Sequence, residues 1–210
     1  MKIQLENITP SEIENRSMEI ISQELVQLGI TLNKEHAPVI KRAIHASADF
    51  EYAQNLYFSE NVITRALSLL KNGACIVTDT KMAFSGINKK ALYNYNCKIY
   101  NFIDDKDVAL AAKQNNTTRS AACIDKAANI KEPVIFVTGN APTALIRIYE
   151  LYKEGIINPG LVIGVPVGFV NVVQAKELII QTDIPCIISR GRKGGSNIAA
   201  AICNALLYML

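Results

Sequence analysis

The residues from Ser189 to Asn197 could do chemistry with anions, because Arg190, Arg192 and Lys193 are interleaved there with Gly191, Gly194 and Gly195. The run Pro185–Ile188 ahead of them has the length and composition of a core strand, and the alanine-rich run Ile198–Ile202 behind them opens a helix. A glycine-rich turn at a helix N-terminus offers free backbone N–H groups and the positive end of the helix dipole. Arginine adds a planar fork of donors and lysine a point charge. Phosphate and carboxylate suit such a turn equally, and a solvated basic turn with a helix cap is the plain alternative. The spacing is neither GxGxxG nor GxxxxGK(S/T), so it carries no nucleotide fingerprint.

A second group centres on His45. Helical spacing places Arg42, His45 and Asp49 along one stripe, so a cation, an imidazole and a carboxylate would stand together. A carboxylate four residues on can orient the ring and support its protonated form, which makes a histidine a general acid near neutral pH. The same spacing also describes a solvated charged stripe. His36, in the first turn beside Pro38, reads as a surface or capping residue. Ser17 falls on the packed side of the first helix, where its hydroxyl either bonds back to its own backbone or looks into a cavity. Arg119 follows Thr117 and Thr118 into the first turn of another helix, where the dipole disfavours a cation unless an anion shares the site. With Lys81, Arg190, Arg192 and Lys193 it makes a set of separate cationic grips, a pattern suited to a large polyanionic small molecule. Neither a Gly-x-Ser-x-Gly elbow nor a Cys–His constellation points to a covalent nucleophile.

The elements that must position these residues follow from periodicity. Thr9-Pro10-Ser11-Glu12 has the form of a capping box ahead of Ile13, Ile20, Ile21, Leu25 and Leu28 at helical spacing, and Gly29 stops that helix. A second helix is expected over about 35–54 and a third from a cap at Ser59 to Gly73. From there five short β-rich runs alternate with helical patterns: 74–78, 97–102, 133–138, 161–165 and 185–188. Continuous apolar strands separated by helices predict a doubly wound α/β fold, with a mostly parallel sheet, helices on both faces and an N-terminal helical segment. The expected organisation is one domain over 1–210, with a helical arm at about 9–72 and a sheet-containing core at about 73–210. Ligands of such sheets bind beyond the carboxyl ends of the strands. Those ends carry 79–82, 103–105, 139–143, 166–170 and the basic glycine-rich turn, so every unusual loop falls on one edge.

Bulk properties remove several classes. The chain has 210 residues, of which 50% are hydrophobic, enough for a sizeable core. Its charge of +3 comes from 22 basic and 19 acidic residues that are interspersed, without the basic block of a nucleic-acid surface. No apolar stretch is long enough to span a bilayer, and the start Met1-Lys2-Ile3-Gln4-Leu5-Glu6 lacks the apolar region of a signal peptide. Cys75, Cys97, Cys123, Cys186 and Cys203 are widely spaced and mostly within apolar runs. With only His36 and His45 as further soft ligands, they predict no resident metal site and a cytoplasmic protein.

Arg42-Ala43-Ile44-His45 with Asp49-Phe50, Asp79-Thr80-Lys81-Met82, Thr117-Thr118-Arg119-Ser120, Gly139-Asn140-Ala141-Pro142-Thr143-Ala144-Leu145, Pro166-Val167-Gly168-Phe169-Val170 and Gly191-Arg192-Lys193-Gly194-Gly195-Ser196 together resemble the precorrin-8X methylmutase family, in order and over nearly the whole chain. The resemblance implies an isomerase of cobalamin biosynthesis. It would convert precorrin-8X, or cobalt-precorrin-8, to hydrogenobyrinic or cobyrinic acid by moving a methyl group within ring C. It also implies a homodimer with its site near the subunit interface, no protein-bound cofactor, an acid/base role for His45 and substrate contact for Arg42. The residues suit that chemistry. A sigmatropic methyl shift needs a conjugated ring polarised by a positioned acid, here His45 oriented by Asp49. The substrate's acetate and propionate arms need separate cations around an apolar slot, for which Ser17, Arg119, Arg192 and Lys193 are further candidate contacts. A non-catalytic corrinoid carrier and a Rossmann-like enzyme for a phosphorylated metabolite are the alternatives.

Overall fold

The computed structural model describes residues 6–210; residues 1–5, on which the reading of the N-terminus rests, lie outside the described residues. Helix α1 (Ile13–Gln27) starts after Glu12 with no side-chain cap, three residues later than the box predicted, and only the Glu12 half of that box forms. The Thr9 hydroxyl donates to Glu12 Oε2 at 2.6 Å, and the same carboxylate accepts from the Thr9 N–H at 3.4 Å. Gly29, at φ 69°, ends the helix as the Ile30 N–H reaches back to the Leu25 carbonyl at 2.9 Å.

Helix α2 (Ala37–Ser47) is shorter than its pattern suggested. Ala48 turns left-handed at φ 54° and breaks the helix before Asp49. A single turn, α3 (Tyr52–Asn55), then leads into β1 (Leu56–Phe58), a strand inside the segment expected to be a helical arm. The aromatic preference of strands suits Tyr57 and Phe58 locally. Its place is decided by β6, whose free edge it covers. Ser59 serves that pairing rather than capping the next helix: its N–H donates to the Cys186 carbonyl at 3.0 Å and its Oγ accepts from the Cys186 N–H at 2.9 Å. Helix α4 (Val62–Lys71) starts instead from the left-handed Asn61.

The remaining elements alternate as expected. Strand β2 (Cys75–Thr78) is followed by α5 (Lys81–Gly86) and α6 (Lys89–Asn94), and β3 (Lys98–Tyr100) by α7 (Lys106–Gln114) and α8 (Arg119–Ala127). Then come β4 (Val134–Thr138), α9 (Pro142–Lys153), β5 (Leu161–Gly164), α10 (Val172–Ile180), β6 (Cys186–Ser189) and α11 (Ser196–Tyr208). The strand order is β1-β6-β5-β4-β2-β3, parallel throughout except for β1. Within the parallel part this is the 2-1-3-4-5 order of doubly wound sheets, and its direction reverses between β2 and β4.

The period-2 alternation of strands divides the core. Ile76, Ile135, Val137, Leu161, Ile163 and Ile187 face one side, packed with α2, α4 and α11. Val77, Phe136, Val162, Cys186 and Ile188 face the other, with α8, α9 and α10. The protein is therefore α/β, with helices on both faces of a mostly parallel sheet. Helix α11 is buried nearly all round, from Ile198 to Leu207, and its alanines allow close neighbours. A Cβ on Gly139 would lie 2.6 Å from the Ser196 Cα, so glycine at the end of β4 is what lets α11 begin against the sheet edge.

Candidate active site

A buried carboxylate and a half-buried hydroxyl pair build the edge where the strands end. Asp79 follows β2 and is 2% exposed; its two oxygens accept the N–H groups of Gly139, Asn140 and Ala141 at 2.8–2.9 Å. Burial pushes its carboxyl up, and the three N–H donors oppose that. The result is a bridge across the β2/β4 switch point. Thr80 then caps α5 by accepting the Ala83 N–H, and its hydroxyl lies 2.8 Å from Ser196 Oγ at the start of α11. These contacts join the loops after β2, β4 and β6 into one platform.

On that platform α2, α5 and α11 enclose an open cleft of about 440 Å³ lined by Arg42, His45, Met82, Ser196, Asn197 and Asn204, with Gly86 and three alanines completing its wall. His45 is exposed, on the last turn of α2. Arg42 is held one turn earlier by Glu14 of α1, 2.6 Å away, with its guanidinium 5.2 Å from the Tyr208 ring centroid. Asn197 donates to the Ala46 carbonyl at 3.3 Å and so ties α11 to α2. Helix α11 begins at Gly195 with no side-chain cap, which leaves first-turn N–H groups and the positive dipole end for an acceptor. The cleft thus offers one imidazole, one guanidinium and a helix terminus beside the apolar surface of Met82 and several alanines. That combination suits a flat, largely apolar molecule with carboxylate arms.

The other sequence-selected residues are placed differently. Asp49 stands beyond the end of α2, off the helical stripe, and its carboxylate accepts from Lys193 Nζ at 2.6 Å and from the Glu51 N–H at 3.0 Å rather than orienting His45. The left-handed Ala48 is the physical reason, because it ends the helix between the two residues. The Lys193 ammonium holds the Asp49 carboxyl below its ordinary value. Asp49 and then Glu51, 3.0 Å away, hold Lys193 above its own. Lys193 is therefore a tie between the glycine-rich turn and the end of α2 before it is a grip for substrate. Arg192 is exposed, 5.4 Å from the Phe169 ring centroid. Ser17 bonds back to the Ile13 carbonyl at 2.9 Å, which selects the backbone alternative for its hydroxyl. Arg119 is exposed at the first position of α8, whose cap is Thr118 accepting the Ala121 N–H at 3.2 Å. Ser17, Arg119 and Arg192 lie outside the lining of the cleft. Lys81, counted among the free cations, pairs with Asp104.

Sequence reasoning placed Asp79, Thr80 and Ser196 in motif blocks without giving them roles, and passed over Lys176. The partners of Asp79 and Thr80 lie 60 or more positions away, so local pattern gave them no role. Lys176 carried a readable signal: a lysine on the same buried stripe as Val172, Ala175 and Ile179. Among the described residues no group of three or more His, Cys, Asp or Glu could hold a metal ion, and no helix is long and apolar enough to cross a membrane.

Comparison with known proteins agrees with this geometry. Residues 12–209 match the family model described as precorrin-8X methylmutase. The cobalt-precorrin-8 methylmutase of Leptospira interrogans is 43% identical over 205 residues, covering 94% of this chain and 92% of that one. The enzyme of that name from Salmonella typhimurium is 44% identical, covering 83% of this chain and 82% of its own. The precorrin-8X methylmutase of Pseudomonas aeruginosa is 34% identical, with 92% and 93% covered. Among solved structures, precorrin-8X methylmutase from Thermus thermophilus superposes with a TM-score of 0.85 at 33% identity, covering 94% of this chain and 96% of its own. Sequence blocks, doubly wound sheet and a cleft fit for carboxylates thus converge, and the chain belongs to the precorrin-8X methylmutase family of isomerases of cobalamin biosynthesis.

Proposed function

We propose that the cleft between α2, α5 and α11 binds precorrin-8X or cobalt-precorrin-8 and that His45 is the acid that assists the methyl shift within ring C. The observation that carries this reading is the convergence of His45, Arg42 and the uncapped N-terminus of α11 on one cleft. The reaction is an isomerisation. The methyl–carbon bond at the bridge-linked carbon of ring C breaks as a bond to the neighbouring ring carbon forms, with no atom gained or lost. Protonation or hydrogen bonding of a ring atom by His45 draws electron density into the conjugated system, and the proton returns when the rearranged chromophore is complete. Arg42 and the first-turn N–H groups of α11 hold carboxylate arms of the substrate. Arg192, Arg119 and Lys193 serve arms that extend beyond the cleft. The cobalt-bearing substrate is favoured by the names of the more similar relatives, which reach 43% and 44% identity.

The same reading takes the chain as one domain, because buried residues of α2, α4 and α11 share a core with β2, β4, β5 and β6. A homodimer in the cytoplasm completes it. Val167, Phe169 and Val170, 46%, 80% and 77% exposed on the loop after β5, supply an apolar surface for a second copy. Five free, buried cysteines suit a reducing compartment.

The test is the absorption spectrum of the protein mixed with each substrate and followed over time, because the shift changes the ring's conjugation and colour. Turnover of one substrate, lowered about 100- to 10,000-fold by His45→Ala with binding retained, is the expected result. Wild-type-like turnover by His45→Ala would remove the acid role. Binding without conversion in the unmutated protein would make it a corrinoid carrier, and absence of binding would return the basic turn to the phosphorylated-metabolite reading.

A further inference from the structure

Lys176 is fully buried on α10, a position lysine seldom occupies without a partner that repays its desolvation. Its Nζ donates to the carbonyl of Gly191 at 2.8 Å and to the carbonyl of Lys193 at 2.8 Å. Both acceptors belong to the turn after β6, one on each side of Arg192. Ser189 Oγ donates to the same Lys193 carbonyl at 2.7 Å. Further along, the Gly195 N–H reaches the Val165 carbonyl at 2.8 Å, and the Gly168 N–H reaches the Arg192 carbonyl at 3.2 Å. Burial, with no offsetting cause, pushes the ammonium down to about 8. A methionine of similar length would fill the same space without that cost. The amine does what methionine cannot: it supplies donors that fix two carbonyls of a glycine-rich turn whose Gly191, at φ 72°, has no side chain to hold it.

We propose that Lys176 is a positioning residue for substrate binding: its amine clamps the Gly191 and Lys193 carbonyls, and this holds Arg192 and Lys193 in the geometry that receives the carboxylate arms of the corrinoid. The inference rests on the methylmutase reading of this edge. Lys176 touches no substrate; it acts through the turn, and the Lys193–Asp49 pair fastens the far side of that turn to the end of α2.

A double-mutant cycle separates positioning from general destabilisation. The affinity of cobyrinic acid, and separately of hydrogenobyrinic acid, is measured for the unmutated protein, Lys176→Met, Arg192→Ala and the double variant. Each single change should weaken binding about 10- to 100-fold. The double variant should bind no more than about threefold weaker than Lys176→Met, because loss of the clamp already removes the Arg192 grip. In turnover, Lys176→Met should raise KM by the factor seen in binding and leave kcat within about twofold, the split expected when binding common to ground and transition state is lost. Fully multiplicative losses, or a kcat that falls with KM unchanged, overturn the proposal. Unchanged affinity in Lys176→Met beside weakened Arg192→Ala overturns the positioning alone. Unchanged affinity in Arg192→Ala overturns the substrate grip and the proposal with it, while the His45→Ala result still judges the methylmutase reading separately. Should Lys176→Met fail to fold, Ser189→Ala removes the other donor to the Lys193 carbonyl. It should weaken product binding with unchanged far-UV circular dichroism, and wild-type affinity there overturns the proposal.

Discussion

At the residue scale, His45 and the carboxylate expected to orient it are separated by a single backbone event. Ala48 adopts the left-handed conformation at φ 54° and ψ 27°, α2 ends, and Asp49 meets Lys193 instead of His45. The two roles can be told apart. Asp49→Asn keeps the shape but loses the charge that holds Lys193, so it should raise KM by about 3- to 10-fold, the worth of a partly exposed ion pair that also orders a turn. Turnover at saturating substrate should stay within about twofold, because the Asp49 carboxylate bonds Lys193 and not the ring. A kcat lowered more than about tenfold would restore the carboxylate to the histidine. Arg42 shows the opposite case: its Glu14 partner is on α1, 28 positions earlier, so the α1–α2 contact decides where the guanidinium stands.

At the element scale, the site depends on α11 starting close to the sheet. Its first residue sits against Gly139, at the end of β4, and a Cβ there would lie 2.6 Å and 2.9 Å from the Cα and N of Ser196. Backbone cannot yield as a flexible side chain can. Gly139→Ala should therefore push the start of α11 outward, destabilise the fold by about 1–3 kcal/mol in urea unfolding, and weaken product binding by moving Ser196 and Asn197 in the cleft. A variant with unchanged stability and affinity would mean that the contact relaxes without moving the helix. The Asp79 bridge belongs to this scale too. It accepts three N–H groups ahead of α9 and fixes the β4 loop from which Gly139 projects.

For the whole molecule, the apolar residues of the loop after β5 lie beside the basic turn through the Gly168–Arg192 backbone bond and the placement of Arg192 over Phe169. A second copy covering Val167, Phe169 and Val170 would bring another protomer to the edge where the substrate arms extend. Phe169→Asp places a charge in that surface. Sedimentation should show a dimer for the unmutated protein and a shift towards monomer for the variant, with circular dichroism unchanged because the 80%-exposed ring contributes little to the core. A monomer in both, or a dimer untouched by the change, would place any partner elsewhere.

The local properties of the chain by themselves determined its α/β character, the five parallel strands and the sheet edge on which the unusual loops gather. Hydrophobic runs with helical patterns between them permit little else, and right-handed crossovers send every strand end the same way. The motif blocks from Arg42 to Ser196 likewise identified the family, since type and order in sequence are all that such a likeness needs. Tertiary structure alone decided the rest. Strand β1 exists because β6 leaves an edge to cover, and the three residues of Leu56–Phe58 carry too little periodicity to announce a strand. Asp49 finds Lys193 across 144 positions, and Thr80 finds Ser196 across 116. Lys176 shows in the sequence as a lysine on an apolar stripe, but its two carbonyl partners exist only once α10 packs beneath the basic turn. Propensity and pattern are short-range and survive in the sequence; hydrogen-bond and ion-pair partners are chosen by proximity in the folded core, and only the packing of the sheet creates it.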